Sequence, residues 1–352
     1  MSDIQRLLRP HVASVPAYST ARSRHQGGTL LDANENSLGT PIPDVDPELH
    51  RYPDPTNRAL RTALAARVGV RRDAVWVGNG SDEAIDILIR ALVEPGSRVA
   101  IPVPSYGVYA QRSATQAAIP VPFRLDREFD LDVDAAAHAA RQASLCFLCS
   151  PNNPTGNLLS RGRILELLDR FDGVLGVDEA YIEFAGEEHS LANVAGGDGP
   201  LSRLVVIRTL SKAWGLAGAR VGYLVGAADL VEALDRIGLP YPLSRMAAGA
   251  ALSAIEREPL VETRNIEIRA EREWLADQLA ELGLRALPSV ANFVCFFVPD
   301  PVAVQAGLAA GHGIIVRDRS TLPGLEGALR VSVGTHAENL TFVDALRGEL
   351  GR

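Results

Sequence analysis

An α/β fold is predicted, with a mostly parallel sheet sandwiched by helices and a smaller α+β unit beside it. From about Thr56 to Ala228, short apolar or β-branched runs alternate with helical stretches. The runs are apolar almost throughout, as strands covered on both faces are. After Pro240 the texture changes to long helical stretches interleaved with a few short strands.

Taken in order, "TNRALRTALAARVGV" reads as a helix ended by Gly69, and "AVWVG" as a short strand. "SDEAIDILIRALVEPG" reads as a helix capped by Ser81 and stopped by Pro95 and Gly96. "RVAIPV", "SLCFLC", "GVLGVDEA" and "RLVVIRT" read as strands with helical stretches between them. Beyond Pro240, residues 244–283 read as one long helical stretch. "NFVCFFV", a helix, "GIIVRD", "ALRVSVG" and a last helix follow. The expected division is a large unit over 45–240, with a small unit formed by 1–44 and 241–352.

The chain has 352 residues, 47% apolar and 22% charged, more than one small domain needs for its core. A net charge of −8 argues against nonspecific nucleic-acid binding and against an anionic membrane surface. The first thirty residues carry Arg6, Arg9, Arg22 and Arg24 without an apolar h-region. No apolar run approaches the roughly 18 residues of a membrane span. A soluble cytoplasmic protein is expected. Cys146 and Cys149 form a C-x-x-C. Three apart on a strand, the two thiols face opposite sides of the sheet. No second pair completes a zinc site, so no metal is expected.

Four stretches carry candidate chemistry. "TLSKAWGLAGARVGYLVG" sets Lys212 among small apolar residues, between Thr209 and Ser211 on one side and Arg220 on the other. A lysine works as nucleophile or base once its pKa falls well below about 10.4, and an apolar setting with nearby cations does this. Arg208 and Arg220 are the cations nearest in sequence; a snorkelling surface lysine is the competing reading. "VGNGSDEAIDILI" joins a strand to a helix through Gly78 and Gly80, which suits a phosphate on the helix N-terminus or a simple cap. Glu83 stands where a dinucleotide fingerprint has its third glycine. "CSPNNPTGN" is a rigid turn that puts Asn152 and Asn153 at the carboxyl end of a strand, where open α/β sheets bind ligands. An ordinary Asn-Pro turn explains it equally. "GVLGVDEAYIEF" ends an apolar strand on Asp178 and Glu179, with Tyr181 close behind. Carboxylates there call for a cation.

In this order, and together with "LDANENSLG", "RYPDP", "PSYGVY", "PYPLS" and "LRVSVGT", these stretches resemble the fold-type I PLP-dependent aminotransferases over nearly the whole chain. "DEAYIEF", "PYPLS" and "GIIVRD…LRVSVGT" are most similar to the histidinol-phosphate aminotransferase branch. The resemblance implies pyridoxal 5'-phosphate (PLP) as cofactor, held covalently by Lys212, which also moves the substrate's Cα proton. Asp178 is implied to pair with the pyridine nitrogen, Asn153 and Tyr181 to bond the phenolic oxygen, and Tyr106 to stack on the ring. The phosphate is implied to lie on Ser81 and Asp82, among Thr209, Ser211 and Arg220, with Tyr52 reaching it from the other subunit of a homodimer. Arg330, helped by Arg317 and Tyr18, is implied to meet substrate anions, since a guanidinium fork suits carboxylate and phosphate alike. The implied partners are a small-molecule amino donor and a keto-acid acceptor: histidinol phosphate and 2-oxoglutarate/glutamate, in histidine biosynthesis. Trp214 stands where this family carries phenylalanine.

Four other functions compete. An aromatic amino-acid aminotransferase, or a decarboxylase of a phosphorylated amino acid, would share the fold. A PLP-dependent transcription regulator would need a DNA-binding module, whereas the family pattern begins by about Val15. A nicotinamide dehydrogenase is weakened by the missing third glycine.

Overall fold

The computed structural model describes residues 48–351. Its larger sheet has seven strands, β1 Val75–Asn79, β2 Arg98–Val103, β3 Ile119–Arg124, β4 Ala143–Cys149, β5 Val174–Asp178, β6 Leu204–Thr209 and β7 Val221–Val225, in the order β1-β7-β6-β5-β4-β2-β3. The neighbours from β6 through β3 run parallel, while β7 is antiparallel to both β6 and β1. β3 and β7 were not legible as strands. "IPVPFR" carries two prolines, which suit an edge position. "VGYLV" is hidden inside the glycine-rich lysine stretch.

Helices cover both faces. On one lie α1 Arg58–Val68, α4 Val133–Ala140 and α5 Arg161–Arg170, on the other α2 Ser81–Leu92, α3 Val108–Thr115 and α7 Ala228–Ile237. A short helix, α6 Ile182–Ala185, follows β5. Period-two alternation divides each strand between the two cores. In β4, Cys146 and Leu148 join the first cluster, and Leu145, Phe147 and Cys149 the second. The two thiols therefore do diverge. Each fully buried leucine of these clusters stabilises the fold by about 1.5–3 kcal/mol.

The long helical stretch is two helices, α8 Arg245–Glu256 and α9 Glu258–Glu281. Pro259 forces the break, because its ring would collide with the carbonyl one turn back and it has no N–H to give. Leu243, Ala247 and Ala251 join the first core of the larger sheet, so its apolar packing continues past residue 240. A second sheet, β8 Phe293–Phe297, β9 Arg317–Asp318 and β10 Ala328–Ser332, has the antiparallel order β8-β10-β9. With α9, α10 Pro301–His312 and α11 His336–Glu349 it encloses a third apolar cluster. A Thr335–Glu338 capping box starts α11.

Strand polarity gathers the chemistry at one edge. β1, β2, β4, β5 and β6 all end there, and β7, running oppositely, begins there. The loops that follow β1, β2, β4, β5 and β6, and the residue before β7, therefore meet at the carboxyl ends of the parallel strands.

Candidate active site

At that edge a cavity of about 320 Å³ opens. It brings together Ser81, Asp82, Tyr106, Asn153, Asp178 and Tyr181 with Thr209, Ser211, Lys212, Arg220, Arg317 and Arg330. Tyr18 lies outside the described residues. Tyr52 does not line the cavity of its own chain; it is 46% exposed and stacked on Tyr241, with ring centroids 4.4 Å apart.

The end of the cavity suited to an anion forms where β1 turns into α2. Gly80, at φ 80°, takes the N-cap position, so Ser81 is the first helical residue and does not cap with its side chain as expected. That leaves the first N–H groups of α2 without a side-chain acceptor at the cap. A Cβ on Gly80 would sit 2.6 Å from Arg220 Nη2, and one on Gly222 would collide with the backbone of Gly80 and Ser81. The two glycines thus let β7 and its arginine press against the helix start. Arg220 itself is held at φ 55°, a left-handed conformation that costs a non-glycine residue about 1–3 kcal/mol. Its guanidinium makes only long contacts among the described residues, 3.3 Å to the Ala217 carbonyl, 3.4 Å to Ser211 Oγ and 3.4 Å to Asp82 Oδ2. Thr209 Oγ1 and Ser211 Oγ lie 2.9 Å apart beside it.

The floor is Asp178, the last residue of β5 and 2% exposed. Burial raises its carboxyl pKa to about 6, against the pull of hydrogen bonds from Tyr109 and the Ala180 N–H. Glu179, next in sequence, turns to the opposite side and pairs with Arg208 at 3.0 Å. Arg208 is fully buried and also holds Glu187 at 2.8 Å. This corrects the expectation that Arg208 acts on Lys212: alternation along β6 sends Thr209 to the cavity and Arg208 behind the sheet.

Lys212 opens into the cavity with Nζ 5.8 Å from the centre of the Tyr181 ring. Desolvation by the surrounding protein lowers its pKa, and Arg330 and Arg220 lower it further, against Asp82 and Asp178. Arg330, from the second sheet, thus supplies the cation first sought in Arg208. Trp214 does not reach the cavity; its indole N–H donates to Glu183 Oε1 at 3.1 Å on the far side of the loop, under Arg67.

Asn152 and Asn153 part company. Asn152 is structural, donating to the Pro104 carbonyl at 3.0 Å and to Thr155 Oγ1 at 2.8 Å, and accepting from Ser105 at 2.8 Å. Asn153 faces the cavity, with Nδ2 donating to the Tyr181 hydroxyl at 3.2 Å and Oδ1 accepting from Arg330 Nη1 at 2.6 Å. Tyr106 donates to Asp82 Oδ1 at 3.0 Å.

Arg317 and Arg330 face each other directly in the β9–β10 register. Arg319, missed in the sequence, lines the same cavity. Its spacing of two from Arg317 on an extended segment was the available signal. The Nε atoms of Arg319 and Arg330 are buried without a partner, and among the described residues no carboxylate is seen paired with any of the three. Tyr109 and Cys149 were also missed, and both sit against Asp178. Tyr109 stands three residues after Tyr106, in the first turn of α3.

The donor set fits a flat phosphorylated pyridine. It offers free helix N–H groups, hydroxyls and Arg220 at one end, a buried carboxylate below, and an amine of lowered pKa beside it. Three guanidiniums remain for a second anion.

The family profile described as "Aminotransferase class I and II" matches residues 30–346. A histidinol-phosphate aminotransferase of Cytophaga hutchinsonii is 38% identical over 351 residues, 97% of each chain. One of Xanthomonas euvesicatoria is 39% identical over 361 residues, 98% of this chain and 97% of its own. Among solved structures, histidinol-phosphate aminotransferase of Sinorhizobium meliloti in complex with pyridoxal-5'-phosphate superposes with a TM-score of 0.82, 26% identity and 97% of both chains. L-threonine-O-3-phosphate decarboxylase of Porphyromonas gingivalis gives 0.73 and 27%, over 86% of this chain and 92% of its own. With the profile matched over nearly its whole length and relatives of this identity spanning it, the chain belongs to the class I and II aminotransferases.

Proposed function

We propose that this protein is a PLP-dependent transaminase that exchanges the amino group between histidinol phosphate and 2-oxoglutarate/glutamate, in histidine biosynthesis. The observation that carries the substrate assignment is the trio Arg317, Arg319 and Arg330, which faces the cavity without a paired carboxylate among the described residues. A guanidinium fork accepts the phosphate ester of one substrate and the distal carboxylate of the other in turn. The histidinol-phosphate aminotransferases that match over the full length support the same reading.

Bound here, PLP would supply an electron sink for bond breaking at the substrate Cα. Lys212 would hold it covalently, and its Nζ would then take and return the Cα proton. Asp178 would hold the proton on the pyridine nitrogen. Asn153 and Tyr181 would donate to the phenolic oxygen, and Tyr106 would cover one face. Ser81, Asp82, Thr209, Ser211 and Arg220 would bind the phosphate. The tight contact between β7 and the start of α2 orients these donors in advance.

The reading includes a homodimer in which Tyr52 completes the partner's site, cytoplasmic residence, and a division into a large cofactor unit over 45–240 and a small unit formed by 1–44 and 241–352. In support, Tyr52 is exposed, and among the described residues no helix is long and apolar enough to cross a membrane.

Steady-state kcat/KM for histidinol phosphate, histidinol, phenylalanine and tyrosine tests the assignment. Histidinol phosphate should lead histidinol by about 10⁴, because an unfilled anion site leaves half-buried guanidinium without its anion. If phenylalanine or tyrosine leads, the aromatic aminotransferase reading replaces this one. Release of carbon dioxide without a keto-acid requirement would point to the decarboxylase.

A further inference from the structure

Asp178 would have to do two things beneath a pyridine ring: stay charged and keep its carboxylate plane fixed. Burial opposes the first, since a carboxylate in so dry a position is pushed toward its neutral form. Two donors oppose that push. The Ala180 N–H reaches Oδ1 at 3.1 Å, and the Tyr109 hydroxyl reaches Oδ2 at 2.8 Å. One donor on each oxygen fixes the plane of the group. Among the described residues Tyr109 provides the only side-chain hydrogen bond to Asp178.

Tyr109 is itself immobilised. It is 1% exposed and stacked on Phe147 with ring centroids 4.9 Å apart and planes 10° from parallel. The edge of Tyr106 meets it at 5.6 Å. Ser113 bonds its carbonyl at 2.7 Å. Burial and the charge of Asp178 hold the phenol well above its usual pKa, so it remains a donor. A hydroxyl fixed as donor favours the carboxylate over the acid.

We infer that Tyr109 is a positioning residue for the cofactor, holding Asp178 as an oriented carboxylate for the pyridine nitrogen. The inference rests on the proposed role of Asp178. It gives "PSYGVY" a double function: the first tyrosine covers the ring face, and the second, three residues on, acts through the floor.

A double-mutant cycle on cofactor affinity tests it. PLP is titrated into the apo forms of wild type, Tyr109→Phe, Asp178→Asn and the double variant, followed by quenching of tryptophan fluorescence. Melting curves confirm that each apo form is folded. Tyr109→Phe keeps the stacked ring and removes only the hydroxyl. It should weaken PLP binding about tenfold, the scale of one hydrogen bond to a charged group. In the Asp178→Asn background the same change should cost nothing further. An equal loss in both backgrounds, or no loss in either, overturns the inference. Unchanged affinity in Asp178→Asn alone overturns the cofactor role of Asp178 itself. A clear loss there, with none for Tyr109→Phe, overturns only the role of Tyr109.

Discussion

Arg330 Nη1 lies 2.6 Å from Asn153 Oδ1, although 177 positions separate the two residues. One belongs to the small antiparallel sheet and the other to the loop after β4 of the large one. Through Asn153, Arg330 is linked to the Tyr181 hydroxyl at 3.2 Å. The side chain proposed to meet substrate anions therefore shares a hydrogen-bonded chain with two residues proposed to hold the cofactor.

Arg330→Ala should lower kcat/KM for both histidinol phosphate and glutamate by about 10²–10³, the cost of removing one side of a half-buried charged contact. Arg317 is exposed, so Arg317→Ala should cost about tenfold with the phosphate substrate and less with glutamate. Separate half-reactions, followed by the cofactor's absorbance, check this. Equal losses for both substrates in Arg317→Ala would remove its selective role.

Lys212→Ala should retain PLP weakly and lose transamination. In wild type, borohydride should fix the cofactor on Lys212, read by peptide mass. Label on another lysine would overturn the assignment.

The cofactor-free protein should become more stable when Asp178 is made neutral. Its folded pKa, about 6, lies above the ordinary 3.8. The folded state therefore carries a penalty for the charged carboxylate above pH 6. The penalty is fully present near pH 7–8 and is relieved as pH falls through 6 toward 4. Two units correspond to about 3 kcal/mol. Urea unfolding of apo Asp178→Asn should show that gain near pH 8 and almost none near pH 4. A variant less stable than wild type at pH 8 would contradict the burial argument.

Arg208 joins Glu179 and Glu187 behind the sheet, with Glu183 at 3.8 Å. Arg208→Met should destabilise the protein by about 3–5 kcal/mol, because it strands buried carboxylates. Denaturant midpoints at constant m-value measure this.

A dimer with shared sites predicts complementation. In a hybrid of a Lys212→Ala chain with a Tyr52→Phe chain, one site keeps both residues. Such hybrids should regain about half of wild-type activity after mixing and refolding. No recovery, or full activity in a monomer at every dilution, would refute the shared site.

The sequence by itself determined the alternation that builds the larger sheet, the two-face burial of β4, and the end of α1 at Gly69, which adopts φ 73°. These follow from local periodicity and from backbone conformations that only glycine accepts without strain. It also carried the order of motifs whose residues meet in the cavity. Tertiary structure decided which side chains of those motifs face it. Asn152 and Asn153, Asp178 and Glu179, and Arg208 and Thr209 are adjacent pairs, and in each one member turns to the cavity and the other to the framework. Arg330 joins Arg220 as a cation acting on Lys212, and the hydroxyl on Asp178 proved to be Tyr109. Arg330 and Tyr109 come from elements distant in sequence. Periodicity records which face a residue occupies, but only the packed strands and helices fix what stands opposite it.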